Sequence, residues 1–162
     1  MLPHLDAAYN LARWLTRRDA DAEDLTHEAY VRALQFFAGY RGGDSRAWLL
    51  TIVRNTCYTW LQRTRPHETV AAAEDAAEAI EDLGADPEML LMNKATAAAL
   101  QRALDRLPID LREVLILREQ EGLSYKDIAD VVSAPIGTVM SRLSRARGRV
   151  RTLLSAEYEV LR

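Results

Sequence analysis

Five arginines, Arg142, Arg145, Arg147, Arg149 and Arg151, fall between Val131 and Ala156, and those 26 positions hold no acidic residue. A guanidinium is a planar fork of donors that fits the edge of a guanine or the oxygens of a phosphate. On a helix, Arg142, Arg145 and Arg149 stand at i, i+3 and i+7 and form one stripe, with Val139 and Leu143 facing the other way. Thr138 and Ser141 add hydroxyls to the polar side, and Gly137 with Thr138 opens the helix, where free backbone N–H groups favour a phosphate. An ordinary solvated helix also turns arginines outward, but such faces usually mix signs, and this one does not.

A second set of residues joins aromatics to arginines. Tyr40, Trp48, Tyr58 and Trp60 are interleaved with Arg41, Arg46, Arg54 and Arg63. Unpaired bases stack on aromatic rings while arginines follow the backbone, so the mixture suits single-stranded nucleic acid. Trp60, at helical spacing from apolar neighbours, is expected in the core. Trp48 suits either role, and Arg54 and Asn55 are assigned to the functional side. A third set is acidic: Asp21, Glu23, Asp24 and Glu28 crowd two helical turns. They fit a basic partner surface, or simply complement a helix dipole.

Other chemistry is thin. His4, His27 and His67 have no Cys or His partner at metal-ligand spacing, so no metal and no cofactor is expected. Cys57 lies on an apolar helix face and reads as a small buried hydrophobe. No glycine-rich phosphate loop follows a strand, and no strand is expected, so the chain is not expected to be an enzyme.

These groups need helices to hold them. Leu5, Ala8, Leu11 or Ala12 and Leu15 predict an amphipathic helix over 3–18. Asp21 with Asp24 is expected to cap a second helix running to about Phe37, with Leu25, Ala29, Ala33 and Phe37 inward and Tyr30 and Leu34 beside them. Three glycines within 38–44 break the chain, and Asp44 or Ser45 caps a third helix to about Arg63, with Leu49, Val53, Cys57 and Trp60 on one face. Leu100, Leu104 and Leu107 predict a helix before the break at Pro108, and Leu111, Val114, Leu115 and Arg118 another, ending at Gly122. Ser124 with Asp127 caps a helix to about Val132, and a turn at 133–135 leads into a last helix from Ile136 to about Leu154. That final pair has helix-turn-helix spacing, with Ala129 small where the two helices cross.

The fold class expected is therefore all-α. It comprises a three-helix domain over 1–65, an acidic linker over 66–95 and a four-helix domain over 96–162. The net charge of −3 hides the division of charge. Eight of the 24 acidic residues fall in 66–88, which holds no Lys or Arg, and the remaining 16 face 21 basic ones. Such a linker buries little and is expected to be flexible. No apolar run approaches the roughly 20 residues that span a bilayer, so no membrane insertion is expected. The single cysteine and the lack of a signal-peptide pattern point to the cytoplasm.

Three stretches carry a family resemblance. ALDRLPIDLREVLILREQEGLSYKDIADVVSAPIGTVMSRLSRARGRVRTLL resembles region four of sigma-70 factors, above all the extracytoplasmic-function (ECF) group. DAEDLTHEAYVRAL resembles region 2.2, and YRGGDSRAWLLTIVRNTCYTWLQR resembles regions 2.3 and 2.4. The resemblance covers about 1–65 and 96–155, in the family's order. It implies a sigma factor that binds core RNA polymerase, through the clamp helices of the largest subunit and the flap of the second-largest, and directs it to promoter DNA. An anti-sigma factor is implied as a further partner.

Carried over residue by residue, the −35 element would meet Gly137, Thr138, Met140, Ser141, Arg142, Ser144, Arg145 and Arg149. Met140 and Ser144 are positions where the family varies. The −10 element would meet Tyr40, Arg41, Asp44, Ser45, Trp48, Arg54 and Asn55, with the 40–45 loop cupping an extruded base. Core polymerase would dock on Asp21, Asp24, Leu25, Glu28 and Arg32. Ser133 departs from the pattern, standing where the family has a turn glycine, so a positive φ there would be costlier. Two rival readings remain, a duplex-binding regulator that shares only the C-terminal motif and an adaptor that never touches DNA.

Overall fold

Short-range signals in the sequence fix most helix boundaries in this protein. The computed structural model describes residues 4–40, 42–65 and 94–160, so Arg41 lies outside it, as does the expected 66–95 linker but for its last two residues. The described residues form helices and turns with no strand, as expected of an all-α chain. Three helices make the N-terminal unit: α1 (Leu5–Thr16), α2 (Asp19–Phe36) and α3 (Ser45–Thr64). Four make the C-terminal unit: α4 (Lys94–Asp105), α5 (Ile109–Glu119), α6 (Tyr125–Val132) and α7 (Ile136–Val160).

In the first unit each helix packs on the other two. Alanines at Ala8, Ala12, Ala22, Ala29 and Ala33 let the backbones approach, and Leu11, Leu15, Leu25, Leu49, Leu50 and Val53 fill the space between. Each leucine so buried contributes about 1.5–3 kcal/mol relative to exposure. Asp44 caps α3, accepting from Arg46 N at 3.0 Å and Ala47 N at 3.4 Å.

Three details differ from expectation. First, α2 opens at Asp19, with Arg18 in the extended N-cap position and no side-chain cap, so Asp19 and Asp21 merely occupy the first turn. Second, Phe37 is 56% exposed and Leu34 69% exposed. The helix stops at Phe36 and Phe37 enters a 3-10 turn over Phe37–Gly39, which breaks the spacing that would have carried Phe37 inward after Ala33. Third, the core position after Cys57 is Leu61, four residues on, while Trp60 stays at the rim under the Arg65 guanidinium, 4.9 Å from its ring.

In the second unit α7 lies against α4, α5 and α6. Val139, Leu143, Ala146, Val150 and Leu154 are its buried stripe, and α5 is buried on almost every side. A helix covered all round has no polar face to spare. Arg112 and Glu113, consecutive charged residues in α5, are therefore both buried. The two units also touch: α3 packs on α6 and α1 on α5.

Candidate nucleic-acid interface

The helix-turn-helix is built by local chemistry. Ser124 Oγ accepts from Asp127 N at 3.1 Å and starts α6. Ser133 ends it in the left-handed region, at φ 55° and ψ 50°, the conformation its usual glycine would adopt more cheaply. Ala134 N–H reaches back to Ala129 O at 3.0 Å, and Pro135 O receives Val139 N–H at 3.1 Å, so α7 begins directly after the turn.

On α7, Gly137 is exposed, Met140 is 51% exposed, and Thr138 and Ser141 are half-buried. The arginines are better matched by acids than their own segment suggested. Arg142 Nε lies 3.8 Å from Asp110 Oδ2, and Arg147 Nη2 lies 2.8 Å from Glu119 Oε1, both acids belonging to α5. Arg145 and Arg149 are half-buried on the same helix, Arg145 within the electrostatic reach of Asp110. Ser144 turns its Oγ out of solvent, so in this arrangement it offers no hydroxyl at the surface. Burial pushes the Asp110 carboxyl up, and Arg142 draws it partly back.

The aromatic set gathers at the loop before α3. Tyr40 and Trp48 are tilted at 5.1 Å between ring centroids, and Phe37 joins them, stacked on Tyr40 at 6.2 Å and edge-on to Trp48 at 6.4 Å. Tyr40 O–H donates to Gly43 O at 2.7 Å, closing the loop, and Gly42 and Gly43 both carry φ near +90°. Ser45 Oγ meets His4 Nε2 at 3.0 Å. Three rings, part-exposed beside a tight loop, can stack on unpaired bases. Sequence reasoning had spent Phe37 on the core, and only the exact end of α2 could have freed it.

Arg54 and Asn55, neighbours in sequence, have different surroundings. Asn55 is exposed. Arg54 instead crosses to the other unit, where its Nε and Nη2 donate to Glu113 Oε2 and Oε1 at 3.0 and 3.3 Å. Its guanidinium also lies 3.9 Å above the Tyr58 ring. The Glu113 side chain is 0% exposed, so burial pushes its carboxyl up while Arg54 pulls it back. Burial, and then Glu113, push the Tyr58 phenol well up. Glu113 escaped the sequence reading, although a pair of charges inside a nearly continuous apolar run was a usable signal.

Of the docking set, Asp24 and Glu28 are exposed, Asp21 is half-buried, and Arg32 Nη2 pairs with Glu28 Oε1 at 2.9 Å. Leu25 is core, so it can support that surface but not touch a partner. Beside it, exposed Val31, Leu34 and Phe36 add apolar area that sequence reasoning did not assign. Burial pushes the Cys57 thiol up to about 12, which leaves it inert. Among the described residues no cluster of His, Cys, Asp and Glu could hold a metal, and no helix is long and apolar enough to cross a membrane.

Comparison with known proteins matches both units. Residues 2–66 match the family model of Sigma-70 region 2, and residues 97–150 that of Sigma-70, region 4. The chain is 34% identical over 152 residues to the ECF RNA polymerase sigma factor SigE of Mycolicibacterium smegmatis, covering 94% of this chain and 59% of that protein. It is 38% identical to the RNA polymerase sigma-H factor of Pseudomonas aeruginosa, covering 78% of this chain and 69% of that one. Among solved structures, the sigma factor RpoE of Bartonella quintana, in complex with the anti-sigma factor NepR, matches with a TM-score of 0.72 and 32% identity over 95% of this chain and 93% of that one. CnrH, in complex with the cytosolic domain of CnrY, shares the fold at a TM-score of 0.68 and 24% identity, over 96% and 84%.

Proposed function

We propose that the chain, which belongs to the sigma-70 family in its extracytoplasmic-function group, binds core RNA polymerase and directs it to promoters. The observation that carries this reading is the pairing, in one chain and in family order, of a region 2 unit bearing an aromatic loop with a region 4 unit bearing a helix-turn-helix. On this reading α7 enters the major groove of the −35 element with Gly137, Thr138, Met140, Ser141 and Arg145 forward. Arg142 and Arg149 hold the phosphates beside them. The loop over 40–45 and the Phe37–Tyr40–Trp48 rings take bases of the melted −10 element, with Asn55 on the same helix. The exposed acids of α2, Asp24 and Glu28, with Val31 and Leu34 beside them, meet the basic clamp helices of the largest polymerase subunit.

The domains run over 1–65 and 96–162, and the protein acts in the cytoplasm without a catalytic step of its own. RpoE was solved with an anti-sigma factor, and a partner of that kind is proposed here too.

In vitro transcription with core polymerase tests the whole reading. A sigma factor confers initiation at defined start sites. A duplex-binding regulator binds promoter fragments but gives no initiation without another sigma factor, and an adaptor does neither. Absence of initiation across a genomic promoter library would overturn the proposal.

A further inference from the structure

We infer that the Arg54–Glu113 pair is a latch between the two units, which closes the free chain by engaging a side chain meant for promoter DNA. The inference rests on the proposed function, because Arg54 lies on the helix assigned to the −10 element. A carboxylate offers a guanidinium the same two-oxygen fork that a phosphate does. Glu113 therefore occupies the place of a DNA phosphate, and Arg54 cannot serve both.

The surroundings suit a contact that must also open. Besides the packing of α3 on α6 and of α1 on α5, several polar bonds cross between the units. Asn10 Nδ2 donates to Gln120 Oε1 and, at 3.2 Å, to Glu121 Oε1. Trp14 Nε1 donates to Gln120 Oε1 at 3.2 Å, and Arg17 Nη1 to Asp105 O at 3.0 Å. Water can replace each of these when the units part. The central pair is different, since Glu113 has no exposed surface and its charge has left water altogether. A buried ion pair adds little net stability against its desolvation, but removing one partner strands the other. Such a pair defines one closed arrangement without making it irreversible. Arg54 also lies 3.9 Å over the ring of Tyr58, one turn further along α3, which orients its guanidinium toward Glu113.

The full-length chain provides the test, with two readouts: radius of gyration by X-ray scattering, and anisotropy of a labelled mixed-sequence single-stranded 20-mer. Glu113→Gln keeps the shape and removes the charge. It should enlarge the free chain and tighten binding of the 20-mer about tenfold, because a larger fraction is competent to bind. Arg54→Gln should enlarge the chain as well, and it covers the case in which Glu113→Gln does not fold. Conversely, Asn10→Cys with Gln120→Cys, oxidised to a cross-link, should hold the chain compact and abolish binding until it is reduced. Cys57 is buried and will not compete.

Unchanged size in both charge variants, or equal DNA binding by the oxidised and reduced cross-linked chain, overturns the latch. Failure of the wild-type chain to support initiation would instead overturn the sigma-factor reading, and the scattering difference would stand without it.

Discussion

Arg54 on α3 and Arg147 on α7 both end on a glutamate of α5, yet the two contacts are of different kinds. Arg147 and Glu119 belong to one unit and are both more than a third exposed, so water and salt screen them and the arginine can leave at little cost. Arg54 and Glu113 belong to different units, and the glutamate is wholly buried. Arg142 stands between these cases, 3.8 Å from a partly buried Asp110 within its own unit. One helix, α5, thus supplies the acids for both candidate DNA faces. It lends them loosely to the recognition helix and firmly to the −10 helix. Charge that is segregated along a sequence need not be segregated in space.

The largest effects test whether the units are energetically separate. Leu49 and Leu143 are buried in the N- and C-terminal cores, and truncating either to alanine should cost about 2–5 kcal/mol. All three tryptophans, Trp14, Trp48 and Trp60, belong to the N-terminal unit, and with Trp14, which bonds Gln120 across the units, replaced by Phe, the fluorescence of Trp48 and Trp60 reports that unit. Leu143→Ala should move the urea transition seen by far-UV circular dichroism while leaving the fluorescence transition nearly in place. Leu49→Ala should move the fluorescence transition and the share of the circular dichroism signal that comes from α1, α2 and α3, leaving the rest in place. Coincident shifts in both signals, for both variants, would mean that the interface welds the units together and that the contrast between loose and firm pairs has no functional weight.

Next in size are the arginines of α7. Arg145→Ala should lower affinity for a −35 duplex by about one to two decades, the worth of a bidentate guanine contact, and relax preference at one base pair. Arg149→Ala, if it meets a phosphate, should weaken all duplexes alike and flatten the salt slope by about one unit. Both are read in duplex binding across a salt series. If Arg145→Ala changed neither affinity nor preference, the recognition surface would have to lie elsewhere than on α7.

Features set by residues a few positions apart could be read from the sequence; those set by the meeting of distant helices could not. Ser124 and Asp44 cap their helices as their types dictate, and Val139 and Leu143 point inward because 3.6-residue periodicity leaves no choice. Trp60 and Leu61 were harder, because both sit within reach of Cys57 and only the packing of α1 and α2 decides the phase. Phe37 was misplaced because one residue of helix end separates core from surface. Glu113 was missed for a longer-range reason. Charges inside an apolar run marked it as unusual, but its partner is 59 positions away on another unit, and no local pattern names a partner at that distance.

A smaller effect should come from Asp44→Ala. The cap satisfies two backbone N–H groups at the start of α3, and losing it should cost about 1 kcal/mol. Since Asp44 also borders the 40–45 loop, the same variant should loosen the Tyr40–Trp48 contact and weaken single-strand binding more than stability. Equal binding at reduced stability would separate the cap from the base pocket.

The smallest effect, with the opposite sign, is expected at Ser133. Among the described residues, two non-glycine residues carry positive φ, and each ends a helix in a different unit: Arg17 at 65° after α1 and Ser133 at 55° after α6. A side chain in that region costs about 1–2 kcal/mol, which glycine avoids. Glycine in turn enlarges the unfolded ensemble and gives back roughly 0.5–1 kcal/mol. For Ser133→Gly the balance should be a net gain of about 0.5 kcal/mol, visible as a higher urea midpoint in circular dichroism at unchanged slope. Arg17→Gly removes the same strain but also deletes the bond from Arg17 Nη1 to Asp105 O across the units, so its gain should vanish or reverse. A stabilised Ser133→Gly beside an unimproved Arg17→Gly would show the turn of the C-terminal unit to be local strain alone, and the turn of the N-terminal unit to be strain retained for a contact. If Ser133→Gly lowered the midpoint instead, the serine would be holding the turn between α6 and α7 by its side chain, and the cost assigned here to positive φ would be wrong.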